Sequence, residues 1–353
     1  MGHVLKFEAR TISPLAYVAV PLLGFGAAFA VGALLMKFVA GVDPAVGYGA
    51  FFAGALSPNG VASIVSYTTL FTLMAVGIAV SNRAGVFNVG AEGQYVVGAM
   101  AATSVALALQ AMNVSSDATL LAAMVVAAVA GGAWGLFAGA LRAYLGINEI
   151  VTTVIMNWLA YRIMQWALRG PLKLPGPQMW PMSPPILASI PTFPGTSIST
   201  AIAIALGIAL FSYFMLFRSE AGYKIRAVGH NPAASAYAGI NVRKLMALSM
   251  LYSGMMAGLA GAVEVLAFLH YLFEGIFVGL GYTAILVALV GANNPIGIIA
   301  SSLFFGIIYT GNTYLQAATG LTYTFSKALE GLIYLFVLVG TLLTSYRIRL
   351  VRV

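Results

Sequence analysis

Three closely spaced polar side chains, Asn88, Glu92 and Gln94, lie between two strongly apolar stretches of the chain. The glycines between them let the backbone bend. Such irregular backbone is tolerated at membrane depth only where it lines a cavity or is covered by protein. The pattern predicts a substrate or gating element. The alternative is an ordinary turn in which Glu92 caps the next helix.

A second polar set recurs every four residues along one apolar segment, at Glu149, Thr153, Asn157, Tyr161 and Gln165. On a helix, each step of four advances about 40°, so the set forms a slowly winding stripe. A stripe facing lipid would be penalised, so we expect it to face protein or water. It predicts a lined solute pathway or, alternatively, hydrogen bonds between helices worth about 0.6 kcal/mol each.

A single carboxylate, Glu264, lies deep in another apolar segment that contains no Lys or Arg to pair with it. An ionisable group at such a place predicts a pathway residue. Lys327 and Glu330 are three residues apart, and a local ion pair accounts for them. The predicted pathway set is therefore Asn88, Glu92, Gln94, Glu149, Thr153, Asn157 and Glu264.

Patterns that would carry catalysis are absent from the sequence. It has no Gly-Lys dipeptide and so no phosphate-binding loop, no Gly-x-Ser-x-Gly, no cysteine, and three histidines (3, 230 and 270) that form no metal-binding spacing. We therefore predict no enzyme, no catalytic residue, no metal and no bound cofactor. Energy for uphill work would come from a partner or from an ion gradient.

Composition defines the elements that must position these side chains. Of the 353 residues, 61% are hydrophobic and only 7% are charged, whereas soluble domains carry roughly 25% charged residues. Near-continuous apolar runs replace the alternating segments of a membrane barrel. The sequence therefore predicts an all-α polytopic membrane protein forming one domain over residues 1–353.

Apolar runs of about 20 residues fit the hydrocarbon core of a bilayer. Ten are predicted as membrane spans: 14–38, 61–81, 89–110, 119–141, 149–168, 199–217, 245–268, 276–291, 296–313 and 326–345. The eighth is short and rich in glycine. The first is too long for the apolar region of a signal peptide, so we expect it to be retained.

The distribution of basic residues predicts the orientation of the spans. With the N-terminus inside, the inner loops hold 12 of the 17 basic residues, as the positive-inside rule requires. These are Lys6, Arg10, Arg83, Arg142, Arg218, Lys224, Arg226, Arg243, Lys244, Arg347, Arg349 and Arg352. An even number of spans places both termini in the cytoplasm. The net charge of +8 then reflects orientation and not affinity for nucleic acid.

Two loops are longer than ordinary turns. The inner loop 218–244 carries a net charge of +4 between apolar runs, which indicates a docking surface or a helix lying along the membrane. We expect Gly222, Gly229 and Gly239 to divide it into short helices. The outer loop 169–196 is rich in proline and is either a rigid cap or a lid that receives an external partner.

Two weaker patterns concern packing and symmetry. Glycines recur every four residues at 131, 135 and 139 and again at 254 and 258, a spacing that lets helices approach closely. The segment 84–87 (Ala-Gly-Val-Phe) is echoed at 274–277 (Glu-Gly-Ile-Phe), and each leads into a glycine-rich apolar segment. The echo suggests two inverted halves, as in many transporters, although chance similarity accounts for it equally well.

The chain resembles the membrane permease subunits of ABC importers for nucleosides and simple sugars, a group that also includes ribose and branched-chain amino acid permeases. Four segments carry the likeness: 85–94 (GVFNVGAEGQ), 146–151 (GINEIV) with Asn157, 226–234 (RAVGHNPAA) with 238–240 (AGI), and 291–297 (GANNPIG). The likeness extends over about 63–340. The first segment is the most specific and points to the nucleoside branch.

The resemblance implies a multi-pass subunit of the bacterial inner membrane. It also implies three partners: a cytoplasmic ATPase that binds the ATP, a second permease subunit that is a homologue or a copy, and an extracytoplasmic solute-binding protein. The third segment resembles the helices through which such permeases engage their ATPase. The coupling residues implied are Gly222, Lys224, Arg226, Gly229, His230, Asn231, Pro232, Ala233, Ala234 and Gly239.

Two other interpretations stay open from the sequence. A stand-alone secondary transporter would use Glu92, Glu149 or Glu264 to carry protons. An integral-membrane enzyme would need the nucleophile or metal patterns that are missing. Genes for an ATPase and a binding protein beside this one would favour the importer.

Overall fold

The computed structural model describes residues 3–9, 14–177 and 180–352, including the side chains of 23–177 and 180–340. Arg10, one of the predicted inner charges, and residues 178–179 of the predicted outer loop lie outside the described residues. Helices dominate this part of the chain. One pair of antiparallel strands, β1 (His3–Ala9) and β2 (Tyr346–Arg352), joins its two ends.

Thirteen α-helices are present in the described residues. They are α1 (Pro14–Phe38), α2 (Pro44–Ala55), α3 (Pro58–Arg83), α4 (Ala91–Ala111), α5 (Ser116–Leu145), α6 (Glu149–Arg169), α7 (Ala201–Arg218), α8 (Glu220–His230), α9 (Pro232–Tyr237), α10 (Val242–Val263), α11 (Leu280–Val290), α12 (Pro295–Thr319) and α13 (Tyr323–Ser345). Each of the ten predicted spans falls on one of them. In the described residues, seven helices are long and apolar enough to cross a membrane. The predicted all-α polytopic class is confirmed.

Helix α2 was not predicted, because the sequence analysis assigned no element to residues 39–60. The structure shows why a helix starts here. The Asp43 carboxylate accepts a hydrogen bond from the backbone N–H of Ala45 at 2.9 Å. Pro44 occupies the first helical position, where its missing N–H costs nothing. With 12 residues, α2 is too short to cross a bilayer.

The chain divides into two compact units, and the first consists of the described parts of 1–64 and 307–353. Its core contains Met36, Phe51, Leu315 and Leu329. Glu330 is buried there and accepts hydrogen bonds from Lys327 at 3.0 Å and from the Tyr334 hydroxyl at 2.9 Å. The predicted local ion pair is confirmed.

The second unit, residues 65–306, is built around α4, α5 and α10. These helices meet through glycines. A Cβ on Gly258 would lie 2.3 Å from the Ala127 carbonyl oxygen, and one on Gly254 would lie 2.2 Å from that of Gly131. Because no side chain fits at such distances, these glycines permit the close approach of α5 and α10. The predicted packing role of the glycines is confirmed.

The segment between α10 and α11 breaks the regular helix. Helix α10 continues into a π-helical turn, Glu264–Leu269, which ends at His270 in the left-handed region (φ 59°). A 3₁₀ turn, Glu274–Ile276, follows, and α11 then starts after Gly279 (φ 91°). The predicted eighth span is thus a broken element whose helical part is 11 residues long.

Candidate functional site

The starts of α4 and α11 lie directly against each other. Helix α4 begins after Gly90, and α11 begins after Gly279. A Cβ on Gly281 would lie 2.3 Å from the backbone nitrogen of Glu92, so glycine is required at this crossing. The two segments of the predicted internal echo therefore lead to the same place. An inverted relation between two halves stays a prediction.

Glu92 joins these two helix starts. Its Oε1 accepts a hydrogen bond from the Gly279 N–H at 2.7 Å, and its Oε2 accepts one from the Gly281 N–H at 2.5 Å. The side chain is fully buried. A carboxylate at a helix N-terminus is favoured by the helix dipole and by the unpaired N–H groups. Glu92 does cap a helix, but the helix is α11 and not its own.

The amides of Asn88 and Gln94 form a buried cluster beside Glu92. Asn88 Nδ2 donates to Gln94 Oε1 at 2.9 Å and to Ser253 Oγ at 2.8 Å. Asn88 Oδ1 accepts a hydrogen bond from the Gly90 N–H at 2.8 Å. These contacts hold the bend before α4 against α10. The sequence analysis missed Ser253, which is one small polar residue in an apolar helix.

The middle of the α6 stripe binds the same pair of helix starts, those of α4 and α11, which we call the helix junction. Asn157 Oδ1 accepts from the Gly93 N–H at 2.8 Å, while Nδ2 donates to the Val89 carbonyl at 2.9 Å and to the Tyr282 hydroxyl at 3.0 Å. Thr153, one turn earlier, is buried against Gly90 and donates to the Glu149 carbonyl at 2.7 Å. The structure thus brings together five of the seven predicted pathway residues: Asn88, Glu92, Gln94, Thr153 and Asn157.

The ends of the stripe have other partners. At the start of α6, the Glu149 carboxylate pairs with Arg142 at 3.1 Å, apart from the junction. At the other end, Glu274 accepts hydrogen bonds from Tyr161, Gln165 and Arg169, the last at 2.7 Å. The stripe therefore connects α6 with α5, with the helix junction and with the segment that precedes α11.

Glu264 lies outside this cluster. Its Oε2 atom is buried where α10 turns into the π-helical segment and has no hydrogen-bond partner among the described residues. π-helical turns often occur at functional sites. In the part of the chain that the structure describes, no group of three or more His, Asp or Glu side chains is placed to hold a metal ion.

The predicted outer loop is fixed to the segment that follows α10. Backbone N–H groups of Ser183, Ile186 and Ile190 donate to the carbonyls of Leu272, His270 and Leu266 at 2.8, 2.7 and 2.9 Å. Along 185–190, buried and exposed residues alternate, as in a strand packed on one side. These contacts agree with the rigid-cap interpretation for this part of the loop.

The inner loop folds into α8 and α9, each with a side-chain cap. Ser219 Oγ accepts from the Gly222 N–H at 3.1 Å, and Asn231 Oδ1 accepts from the Ala234 N–H at 3.0 Å. Pro232 occupies the first turn of α9, as its fixed φ favours. Gly239 (φ 78°) lies in the turn that ends α9.

The expected helix breaks at Gly222 and Gly229 are wrong, since both residues lie inside α8. Their role is close approach. A Cβ on Gly222 would lie 2.1 Å from the Met215 carbonyl oxygen, and one on Gly229 would lie 2.1 Å from that of Arg83. These glycines fix α8 against the ends of α7 and α3.

The remaining coupling residues differ in where they point. Lys224 pairs with Glu220 at 2.6 Å on α8, and its hydrogen bond holds the pKa of Glu220 below the usual value. In contrast, α9 and its flanks face outward, and the Tyr237 side chain is 95% exposed. Tyr237 was not among the predicted coupling residues. The members of the predicted set that face outward are His230, Asn231, Pro232, Ala233, Ala234 and Gly239.

Arg226 faces a polar pocket under α8. The pocket is lined by Asn82, Arg83, Arg226, Gly229, His230, Ala292 and Asn293. Arg83 is held there by the carbonyls of Ala292 (2.9 Å) and Asn293 (3.1 Å). Arg226 Nη1 is buried and has no hydrogen-bond partner among the described residues. The lining has two guanidinium groups and no carboxylate.

Comparison with known proteins agrees with this architecture. Residues 60–342 match the family described as branched-chain amino acid transport system / permease component. The chain belongs to this permease family. The resemblance predicted from the four segments is confirmed.

Members of this permease family with described roles align along most of the chain. It is 32% identical to the guanosine ABC transporter permease NupP of Bacillus subtilis, over 96% of this chain and 97% of NupP. It is 30% identical to the glucose ABC transporter permease TsgB13 of Haloferax volcanii, over 99% and 94%. It is 29% identical to the nucleoside ABC transporter permease NupB of Lactococcus lactis, over 83% of each.

Proposed function

We propose that this permease carries nucleosides across the bacterial plasma membrane as one subunit of an ATP-driven ABC importer. The observation that carries the proposal is the end-to-end similarity to NupP, a guanosine permease. The buried polar junction of α4, α6 and α11 supports it, because broken helices that meet inside a bundle are typical of solute pathways.

The importer needs partners that supply energy and solute. ATP would be bound and hydrolysed by a separate cytoplasmic ATPase, since this chain has no phosphate-binding loop. A second permease subunit would complete the pathway. Two nucleoside ABC transporter permeases of Lactococcus lactis, NupB and NupC, are both similar to this chain, which favours a homologue over a second copy. An extracytoplasmic binding protein would deliver the solute.

Helix α9 is the proposed contact with the ATPase. It is short, rich in alanine and exposed on most of its surface, so it can enter a groove on a partner. The close backbone contacts of Gly222 and Gly229 anchor α8 to the ends of α7 and α3. A force on α9 would therefore reach two membrane-spanning helices through α8.

The pocket under α8 would receive an acidic group of the ATPase. The buried Nη1 of Arg226 lacks a hydrogen-bond partner among the described residues, and a buried donor without an acceptor is costly. A carboxylate from the docked subunit would pair with Arg226 and with Arg83. Docking at α9 and ion pairing beside it would then hold the permease and the ATPase in one fixed relative position.

Passage of the solute requires the junction to open on alternate sides. Glu92 and Asn157 hold the starts of α4 and α11 together, so we place these residues at the pivot of the pathway. The π-helical turn at 264–269 offers a second place where α10 can bend, since its hydrogen bonding is already irregular.

Simple sugars are the second candidate solutes, favoured by the similarity to the glucose permease TsgB13. Proton coupling without an ATPase is less compatible with the site. Glu92 is engaged by two backbone N–H groups and Glu149 by Arg142. Among Glu92, Glu149 and Glu264, Glu264 is therefore the remaining candidate for a proton carrier.

An uptake competition distinguishes the two solute classes. The permease pair, its ATPase and its binding protein would be reconstituted in vesicles with ATP enclosed, and uptake of labelled guanosine would be measured. We expect unlabelled nucleosides to compete and glucose at the same excess to have no effect. Uptake of glucose without uptake of guanosine would contradict the nucleoside assignment and favour the sugar alternative.

A further inference from the structure

An aromatic cluster adjoins the helix junction, on α6 and in the segment just before α11. It consists of Trp158, Tyr161 and Phe277, and we call it the aromatic face. The rings of Tyr161 and Phe277 are nearly parallel with centroids 4.8 Å apart, and Trp158 lies 5.5 Å from Phe277. Trp158 is 53% exposed, so one large ring surface is left uncovered.

Polar groups border the aromatic face on one side. The exposed Arg162 lies 5.7 Å from the centre of the Tyr161 ring and donates to Gln165 Oε1 at 2.8 Å. Gln165 and Tyr161 also donate to the Glu274 carboxylate. The face therefore combines apolar ring surface with hydrogen-bonding groups of fixed direction.

The position of Trp158 along α6 argues against contact with lipid headgroups. At about 1.5 Å per residue, Trp158 lies about 13 Å from Glu149 and about 16 Å from Arg169, near the middle of the helix. Aromatic belts of membrane proteins lie at the two interfaces. In the predicted span 149–168, a ring near the middle of the helix beside an exposed guanidinium group indicates that this side of α6 meets water or protein.

The aromatic face also adjoins the junction directly. Trp158 follows Asn157, which binds the Val89 carbonyl and the Tyr282 hydroxyl. Phe277 lies two residues before Gly279, whose N–H binds Glu92. Transporter sites are commonly found at such depth, next to broken helices. A solute that passes the junction on this side would meet the aromatic face.

We propose that the aromatic face is a subsite on which the planar heterocyclic ring of the solute stacks during passage. Arg162, which is exposed, would donate a hydrogen bond to the edge of that ring. Stacking on aromatic side chains is the common way for proteins to hold a base without reading its identity. The inference rests on the proposed transport of nucleosides, because a simple sugar has no planar ring to stack.

The first test measures binding and requires no transport. The purified permease pair would be titrated with guanosine while tryptophan fluorescence is recorded. We expect quenching in the wild type and little quenching in Trp158→Phe, which removes the reporter but keeps a ring. The matched control is Trp166→Phe, on an exposed residue two turns further along α6, and we expect quenching as in the wild type. Unchanged quenching in Trp158→Phe would overturn the subsite.

The second test measures transport in the complete importer with its ATPase and binding protein. For Trp158→Leu we expect the maximal rate of guanosine uptake to fall by about tenfold or more, as the loss of one stacked base predicts. Trp158→Phe should recover most of the rate, and Trp166→Leu should behave as the wild type. If Trp158→Leu instead separates the two permease subunits, the face is an interface and the subsite is wrong.

The two tests separate the failure of the subsite from the failure of the proposed function. Guanosine uptake that is normal in Trp158→Leu would overturn the subsite and leave nucleoside import in place. Import of glucose alone, with no guanosine-dependent quenching, would overturn both.

Discussion

At the scale of single residues, the central observation is that the buried carboxylate of Glu92 is engaged by backbone N–H groups of α11. It therefore acts first as a positioning group for the helix junction. A residue that binds solute would need free hydrogen-bonding capacity toward the pathway. These hydrogen bonds favour a positioning role for Glu92, and we propose solute contact on the aromatic face nearby.

We predict that Glu92→Gln lowers the thermal stability of the purified permease. The variant keeps the size of the side chain but loses the charge, and a hydrogen bond to a charged group contributes about 1.5–3 kcal/mol. Glu92→Asp, which keeps the charge but shortens the reach, should be destabilised less. The measurement is a thermal unfolding curve in detergent. A Glu92→Gln permease of unchanged stability that no longer transports would indicate that Glu92 binds solute directly.

At the scale of elements, the α4–α5–α10 core depends on glycines that admit backbone contact. We predict that Gly258→Val strongly reduces the yield and the unfolding temperature of the permease. A Cβ there would lie 2.3 Å from a backbone carbonyl, which cannot yield as a flexible side chain would. Overpacking of this kind costs about 1–3 kcal/mol or more.

Gly207→Val on α7 is the matched control, since no atom lies within 4 Å of its added Cβ. It should be purified in normal amounts. Equal loss in both variants would show that valine itself, and not the helix contact, is responsible.

Helix α9 supports a separate prediction about docking. Tyr237→Ala should weaken co-purification of the ATPase about tenfold or more, because truncating a central interface tyrosine typically costs about 2 kcal/mol. Insertion in the membrane should be unchanged, since Tyr237 is 95% exposed. Trp180→Ala in the predicted outer loop is the control and should retain the ATPase. Normal co-purification with Tyr237→Ala would contradict the assignment of α9.

Tyr237 is a better position for this test than Gly229 or Asn231, which the sequence motif would suggest. Gly229 belongs to the implied coupling motif, but a side chain there meets the Arg83 carbonyl at 2.1 Å. A bulky substitution would therefore disturb the anchoring of α8 and not only the docking surface. Asn231→Asp would preserve the cap that Asn231 provides to α9.

The sequence was sufficient to locate the ten helices on which the predicted spans fall, and seven of these are, in the described residues, long and apolar enough to cross a membrane. Five of the seven predicted pathway residues lie together at the junction. Runs of apolar residues predict helices reliably, because a bilayer leaves few other solutions. The features that were not predicted depend on contacts between residues that are far apart in the sequence. Glu92 is hydrogen-bonded to Gly279, and Arg83 is hydrogen-bonded to Asn293. No local sequence pattern indicates such pairs. The π-helical turn after α10 left no signal either, beyond the isolated Glu264.

At the scale of the whole molecule, the predicted orientation places α8 and α9 in the cytoplasm and residues 180–196 outside. The sequence contains no cysteine, so single cysteines can be introduced without background. We predict that Gly239→Cys is labelled by a membrane-impermeant maleimide only after the cells are opened. Ser197→Cys should be labelled in intact cells. The reverse pattern would invert the topology and exclude α9 as the contact with a cytoplasmic ATPase.

We propose that transport draws its energy from ATP on a partner subunit. The most direct measurement is the initial rate of guanosine uptake in vesicles that contain the permease pair, with and without the ATPase. The binding protein is present outside the vesicles, ATP is enclosed, and ionophores collapse all ion gradients. We predict that uptake continues with ionophores and stops when the ATPase is omitted. Uptake that needs no ATPase and disappears with the ionophores would contradict the account and identify a secondary transporter.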